Sequence, residues 1–460
     1  MAEYQKSLFI FRRDLRVVDN TALLAAVNNS KSVIPCFIFD PRQIAPHPYQ
    51  SQTGLSFMLQ ALQDLAQQLA QMGAGLNIFH AAPADIVSRL IAEYGVDALF
   101  FNRDYSPFSR QRDFQLAEIA QSQGVAVHYL PDALLTEPEQ ALKPDQSPYH
   151  VFTPFYKNAA KFSVALPQAL ASANFIQLAE SLSLDKVAAE LSPKLNANYP
   201  GGRQAALHIL ENLSTYASYQ ENRDFPALAG TTCLSAHLKF GTCSVREVYH
   251  AIVRQLGSSH SLLRQLYWRD FFTHIAYHYP KVFGHAFIEK FDQIAWKNDT
   301  AEFERWRTGC TGFPIVDAGM RELNATGFMH NRVRMITASF LVKDLLISWR
   351  WGERYFAQKL LDYDPCVNNG NWQWAASTGC DAQPYFRIFN PWLQQQKFDP
   401  ECHYIYRWIP ELKPFSPKQI HAWEASPQPG EYPQPMLLHA LASQRAKSLF
   451  KAQTSIEPLA

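Results

Sequence analysis

Short apolar runs alternate with amphipathic stretches through the first 130 residues. The runs SLFIF, SVIPCFIFD, GLNIFH, ALFFN and VAVHYL read as five β-strands separated by segments of helix length. Between Gly54 and Met72 the positions Leu55, Met58, Leu59, Leu62, Leu65 and Leu69 recur at helical spacing. Further helices are predicted near Thr21 to Asn28, Ala84 to Tyr94 and Ser109 to Gln121. Such alternation predicts a parallel sheet covered by helices on both faces. From Pro131 to about Tyr199 the pattern breaks at Pro131, Pro138, Pro144, Pro148 and Pro154, and the segment reads as an interdomain connector with two short helical pieces. Beyond it the spacing is helical nearly to the end, over Arg203 to Tyr216, Ser244 to Leu256, His260 to Tyr277, Phe313 to Thr326, His330 to Ser348 and Glu353 to Leu361. The expected chain is an α/β domain over 1–130, a connector over 131–199 and an all-helical domain over 200–460.

Composition narrows the class. The 460 residues are 47% hydrophobic, and 29 prolines and 19 glycines without low-complexity runs argue against fibrous or disordered chains. Apolar stretches such as Ser32 to Phe39 are far short of the roughly 20 residues that span a bilayer, and the opening residues lack signal-peptide order, so a soluble cytoplasmic protein is expected. Seven cysteines, scattered and never spaced C-x-x-C, read as buried free thiols and not as a disulfide frame or metal site. No G-x-G-x-x-G follows the first strand, where FRRDLR stands instead; a Rossmann-like sheet without that fingerprint argues against a nicotinamide dehydrogenase. Residues 1–150 carry a net charge of −4 and residues 151–460 one of +5, a surplus that could meet a polyanion or belong to a mixed solvated surface. All ten tryptophans fall after residue 267.

Four segments carry polar groups that helix packing does not ask for. DYDPCVNNGNWQWAAS offers Asp362, Asp364, Asn368 and Asn369 with Trp372 and Trp374; carboxylates and amides of this kind suit a flavin's edge, or else cap the following helix. MHNRVRM places Asn331, Arg334 and Met335 three and four apart, on one helical face. QLYWRDFF sets Gln265 three residues before Trp268. GTTCLS supplies hydroxyls and backbone N–H groups that hold a phosphate or cap a helix.

Together with FRRDLRVVDN and YQENRDFPALAGTTCLS, and extended to TGFMHNRVRMITASFLVKDLL and DYDPCVNNGNWQWAASTGCDAQPYFRIFNP, these segments closely resemble the photolyase/cryptochrome family. The resemblance is to class I cyclobutane pyrimidine dimer photolyases, over essentially the whole chain. It implies a monomer whose helical domain holds folded FAD and whose α/β domain binds an antenna pigment. The matching FAD positions are Tyr219, Thr231, Thr232, Leu234, Ser235, Arg269, Asn331, Arg334, Asp362, Asp364 and Asn368, the last facing flavin N5. Trp372, Trp349 and Trp296 match the family's photoreduction chain, from flavin to surface. Gln265, Trp268, Asn331, Met335 and Trp374 match the pocket for a lesion flipped out of UV-damaged DNA, a strategy for which photolyases are a standing example.

Three departures bear on function. Gln265 stands where dimer photolyases usually have glutamate, which leaves a cryptochrome-like photosensor as the alternative. Cys233 replaces a commonly larger polar residue. His47 matches a folate-type antenna histidine, yet Phe108, Ser109 and Gly284 stand where folate binders have asparagine, glutamate and lysine, which points to a deazaflavin, another flavin or no antenna, with folate kept open. Asn331 and Met335 in place of two histidines disfavour a (6-4) photolyase. The expected activity is light-driven splitting of cyclobutane dimers by the anionic reduced FAD.

Overall fold

The computed structural model describes residues 2–170, 172–191, 193 and 198–454. Five parallel strands, β1 (Tyr4–Phe11), β2 (Ser30–Phe39), β3 (Asn77–His80), β4 (Ala98–Asn102) and β5 (Ala126–Leu130), form one sheet in the order β3-β2-β1-β4-β5. Alternation along the strands splits the core in two. Phe9, Phe11, Phe37, Phe39 and Phe100 pack with helices α1 (Thr21–Asn29) and α2 (Gln52–Gln71) on one face. Leu8, Ile10, Ile34, Ile38 and Phe101 pack with α3 (Pro83–Tyr94) and α4 (Pro107–Ser122) on the other. All four helices lie where the apolar spacing predicts them.

The connector does more than tether. Strand β3 pairs with β2 only from Cys36 to Phe39, and the backbone at Phe175 takes the free edge beside Val33, with Ile176 N donating to Val33 O at 2.8 Å. Its helix Phe152–Ala159 packs Phe152 and Phe155 against the helical domain.

The helical domain is built around α5 (Leu263–His278), α6 (Asn331–Ser339), α7 (Trp349–Lys359) and α8 (Pro365–Ala376). Three of these helices meet at glycines. A Cβ on Gly352 of α7 would collide with the Trp372 ring of α8, and one on Gly370 of α8 with Phe272 of α5. The predicted helix His330 to Ser348 is not continuous: α6 ends at Ser339, a π-helical turn covers Phe340–Asp344, and Leu346 adopts φ 51°. The break frees Leu346 O to accept Lys297 N at 2.8 Å, while Asn298 Oδ1 accepts Ser348 N at 2.8 Å. This hooks the loop after Trp296 onto the start of Trp349's helix. All seven cysteines are free thiols, but Cys233 and Cys310 are only half-buried, because both lie in loops and not under a helix face. Among the described residues no helix is long and apolar enough to cross a membrane.

Candidate functional site

Three distant segments converge on one buried carboxylate. Arg334 of α6 reaches Asp362 with both terminal nitrogens, at 3.2 and 2.9 Å, and Ser235 Oγ donates to Asp362 Oδ2 at 2.6 Å. Arg334 is aimed by its Nε, which donates to Met329 O at 2.7 Å. Two residues on, Asp364 behaves differently. Its Oδ1 caps α8 by accepting the amides of Cys366 and Val367, and its Oδ2 accepts Arg13 of the α/β domain at 2.5 Å. Burial alone would raise the Asp364 pKa, but Arg13 and Lys239 hold it below its usual value. The Asp364 side chain thus both caps α8 and joins the domains.

Asn368 sits one turn into α8. Its Nδ2 donates to the Glu353 backbone O and to Glu353 Oε1, both at 3.1 Å, which leaves the carboxamide oxygen for the site. Burial pushes the Glu353 carboxyl up to about 7 against the pull of Asn368 and Tyr49. Tyr219 is buried on a single helical turn, and Leu234 is buried where the next helix begins. Thr231 and Thr232 are half-buried on a loop that passes through a left-handed residue, Cys233 at φ 53°. Arg269 turns toward the connector, where it donates to Ala133 O at 2.5 Å beside Asp270.

A second wall is aromatic. Trp268 lies flat on Phe152 of the connector, with centroids 3.7 Å and planes 7° apart. Gln265 is half-buried one turn before it. Asn331 Nδ2 contacts Met335 Sδ at 3.7 Å, which places these two on one face as predicted. Trp374 is half-buried near the end of α8, one turn beyond the Gly370–Phe272 crossing. Phe152 was missed by the sequence reading because it lies in the proline-broken connector. Glu353 was missed although a signal existed: an acid on the apolar stripe of Trp349, Phe356 and Leu360.

The three chain tryptophans occupy adjoining elements. Trp372 (2% exposed) and Trp349 (1%) are in one core on the packed helices α8 and α7, and half-buried Trp296 borders that core beside Phe450. None of the three indole N–H groups meets a protein acceptor among the described residues, whereas Trp306, 6.3 Å from Trp372 between centroids, donates to Thr337 O at 3.0 Å.

A cavity of about 500 Å³ opens at the carboxyl ends of β1 and β2, between the sheet and the helical domain. This is the side of a doubly wound sheet on which ligands sit. His47, Phe108 and Ser109 all line it, with Tyr49, Lys239 and Tyr363; Gly284 does not.

Sequence and fold comparisons agree with this layout. Residues 7–172 match the family model for DNA photolyase, and residues 262–452 match that for the FAD binding domain of DNA photolyase. The chain belongs to the DNA photolyase family and is an enzyme with an FAD-binding helical domain. It is 38% identical to a deoxyribodipyrimidine photo-lyase of Escherichia coli, over 96% of this chain and 98% of that protein. It is 37% identical to one of Synechococcus over 96% of each. An archaeal photolyase structure from Sulfolobus tokodaii with two FAD molecules superposes with a TM-score of 0.90 at 42% identity, covering 97% of this chain and 100% of that one. A Synechocystis cryptochrome does so at 0.89 and 29%, covering 98% and 99%.

Proposed function

We propose that the chain repairs UV-damaged DNA by light-dependent splitting of cyclobutane pyrimidine dimers, with residues 1–130 as antenna domain, 131–199 as connector and 200–460 as FAD- and DNA-binding domain. The observation that carries the reading is the convergence of Ser235 and Arg334 on Asp362, with Asn368 and Trp372 one turn apart on the helix that follows. The donor set fits FAD. The amides of Thr231, Thr232 and Cys233 bond no protein acceptor among the described residues and are available to phosphate oxygens. The Asp362 carboxylate and the Asn368 carboxamide supply acceptors for ring and ribityl groups. When bound and reduced, FAD supplies the photoexcited electron that opens the dimer and takes it back.

The protein's part is positioning. Trp268, held flat by Phe152, and Trp374 offer indole faces to an unstacked lesion, and Gln265 offers an amide to its carbonyl and N–H edge. Trp372, Trp349 and Trp296 serve as the electron relay. The cavity between the domains holds the antenna, and we assign it to a flavin: Phe108 and Ser109 replace the polar pair of folate binders, and the volume lies within the usual range for small-ligand sites.

The test is repair of oligonucleotides carrying either a cyclobutane thymine dimer or a (6-4) product, by reduced protein, in blue light and in darkness. Light-dependent loss of the cyclobutane lesion alone is expected. No repair of either lesion by a normally photoreduced protein would favour the photosensor reading, for which Gln265 is the supporting residue.

A further inference from the structure

The two indoles assigned to the lesion sit on different helices, Trp268 on α5 and Trp374 on α8. Those helices cross where Gly370 meets Phe272, and this contact fixes how close they come. A second tie runs outside the helical domain, through the connector. The Phe152 ring lies flat on Trp268 with centroids 3.7 Å apart, and Tyr156, one turn on, lies 13° from the plane of Phe152 at 5.9 Å. Phe152 is itself 1% exposed, so its ring is held in place by packing.

The backbone of the same residue reaches toward the other indole. Val151, at the start of the connector helix, supplies no side-chain cap, and the Phe152 N–H donates instead to Asp381 Oδ2 at 3.1 Å. A carboxylate suits that place, because helix N-termini favour negative charge. Asp381 lies in the turn that follows α8, and that turn folds back on Trp374: the Ser377 and Gln383 amides both donate to Trp374 O at 3.3 Å. Beside it, Cys380 Sγ donates to His150 O at 2.7 Å. Phe152 therefore touches one indole with its ring and holds the turn behind the other with its amide.

We propose that Phe152 and Asp381 are positioning residues for the lesion: as one brace they fix the gap between Trp268 and Trp374, so that the connector helps set the preference for dimers over undamaged DNA. The proposal rests on the assignment of the two indoles made above. A flat aromatic neighbour covers one face of Trp268 and leaves the other for the lesion. Without that ring, the indole can tilt into the vacated space. Without the Asp381 carboxylate, the turn after α8 loses this hold on the connector, and Trp374 gains freedom to shift. Either loss turns a preformed slot into one that the lesion must order on binding, and the ordering cost is taken from affinity. Undamaged DNA is held by its phosphates and does not enter the slot, so its binding is left alone.

The test uses the FAD-loaded protein in darkness and measures Kd for oligonucleotides with and without one cyclobutane thymine dimer. Phe152→Leu keeps apolar bulk but not the flat ring, and Asp381→Gly removes the acceptor at a residue whose φ of 51° glycine adopts without strain. Each is expected to weaken dimer binding about fivefold and to leave undamaged DNA unchanged. Asp381→Asn keeps an oxygen for the Phe152 amide and is expected to stay within about twofold of wild type. In the double variant of Phe152→Leu with Asp381→Gly the two losses are expected not to multiply, because they disable one brace. Unchanged selectivity in both single variants, equal weakening toward both DNAs, no rescue by Asp381→Asn, or losses that multiply overturns the brace. Loss of bound FAD from both single variants also overturns it, since the pair would then serve the fold and not the slot. A wild type that fails to distinguish dimer from undamaged DNA sinks the repair reading itself, and the brace with it.

Discussion

Gln265 is the residue on which the choice between repair and signalling turns. It lies half-buried one helical turn before Trp268. A neutral amide can donate and accept at the lesion edge but adds no charge to its hydrogen bonds. Hydrogen bonds to charged groups exceed neutral ones by about 1 kcal/mol, so Gln265→Glu is expected to raise dimer affinity or repair rate roughly fivefold. Repair kinetics at limiting light check this; no change would show that the amide suffices. Trp372 is tested differently. Replacing it by Phe keeps an aromatic ring against Phe356 and Gly352 but removes the oxidisable indole. Flavin photoreduction, followed by absorbance under blue light, is expected to slow at least tenfold (about 1.4 kcal/mol in barrier), with repair by pre-reduced protein retained. Loss of both would remove Trp372 from the relay.

At the scale of elements, the glycine crossings hold the site together. Gly352→Ala forces the Trp372 ring aside, at a cost of about 1–3 kcal/mol by overpacking. A lower urea midpoint together with altered tryptophan fluorescence is the expected result. Elements were also where the sequence was most legible. Each of the five strands and the four covering helices showed in the apolar pattern, because burial on one or both faces dictates it. The break at Leu346 did not show, since Phe340 to Leu345 are apolar or buried in any helical phase and the π-turn follows from tertiary hydrogen bonding. Nor could spacing separate Asp362 from Asp364: both precede the same helix, and only the fold reveals that one faces Arg334 and the other Arg13. Phe152 and Tyr49 matter through partners more than a hundred residues away, which no local window contains.

At the scale of the whole molecule, a buried charge network seals the domains. Arg16 (1% exposed) reaches both oxygens of Asp132 at 2.8 and 2.7 Å, and Arg246 reaches Asp132 at 2.7 Å and Asp19 at 2.9 Å. Burial would raise the Asp132 pKa, yet the two guanidinium groups hold it below its ordinary value. Its stabilising contribution is therefore complete above the unfolded-state pKa of about 4 and is lost as the pH falls through the lower folded-state value. Asp132→Asn strands the Arg16 charge and is expected to cost about 3–5 kcal/mol at neutral pH. In thermal unfolding the gap between variant and wild type should narrow as the pH drops below about 4.

The cavity between the domains is lined from both ends of the chain, by Arg13 and Tyr49 early and by Tyr363 late, and the Arg13–Asp364 pair joins residues 351 positions apart. During synthesis at about 5–20 residues per second, roughly 20–70 s separate the appearance of Arg13 and Asp364. The sheet can fold and wait, but it waits with an open groove. On the reading proposed above, a pigment meets half a binding site until about four-fifths of the chain has emerged, so antenna loading follows, in time, the docking of segments far apart in sequence.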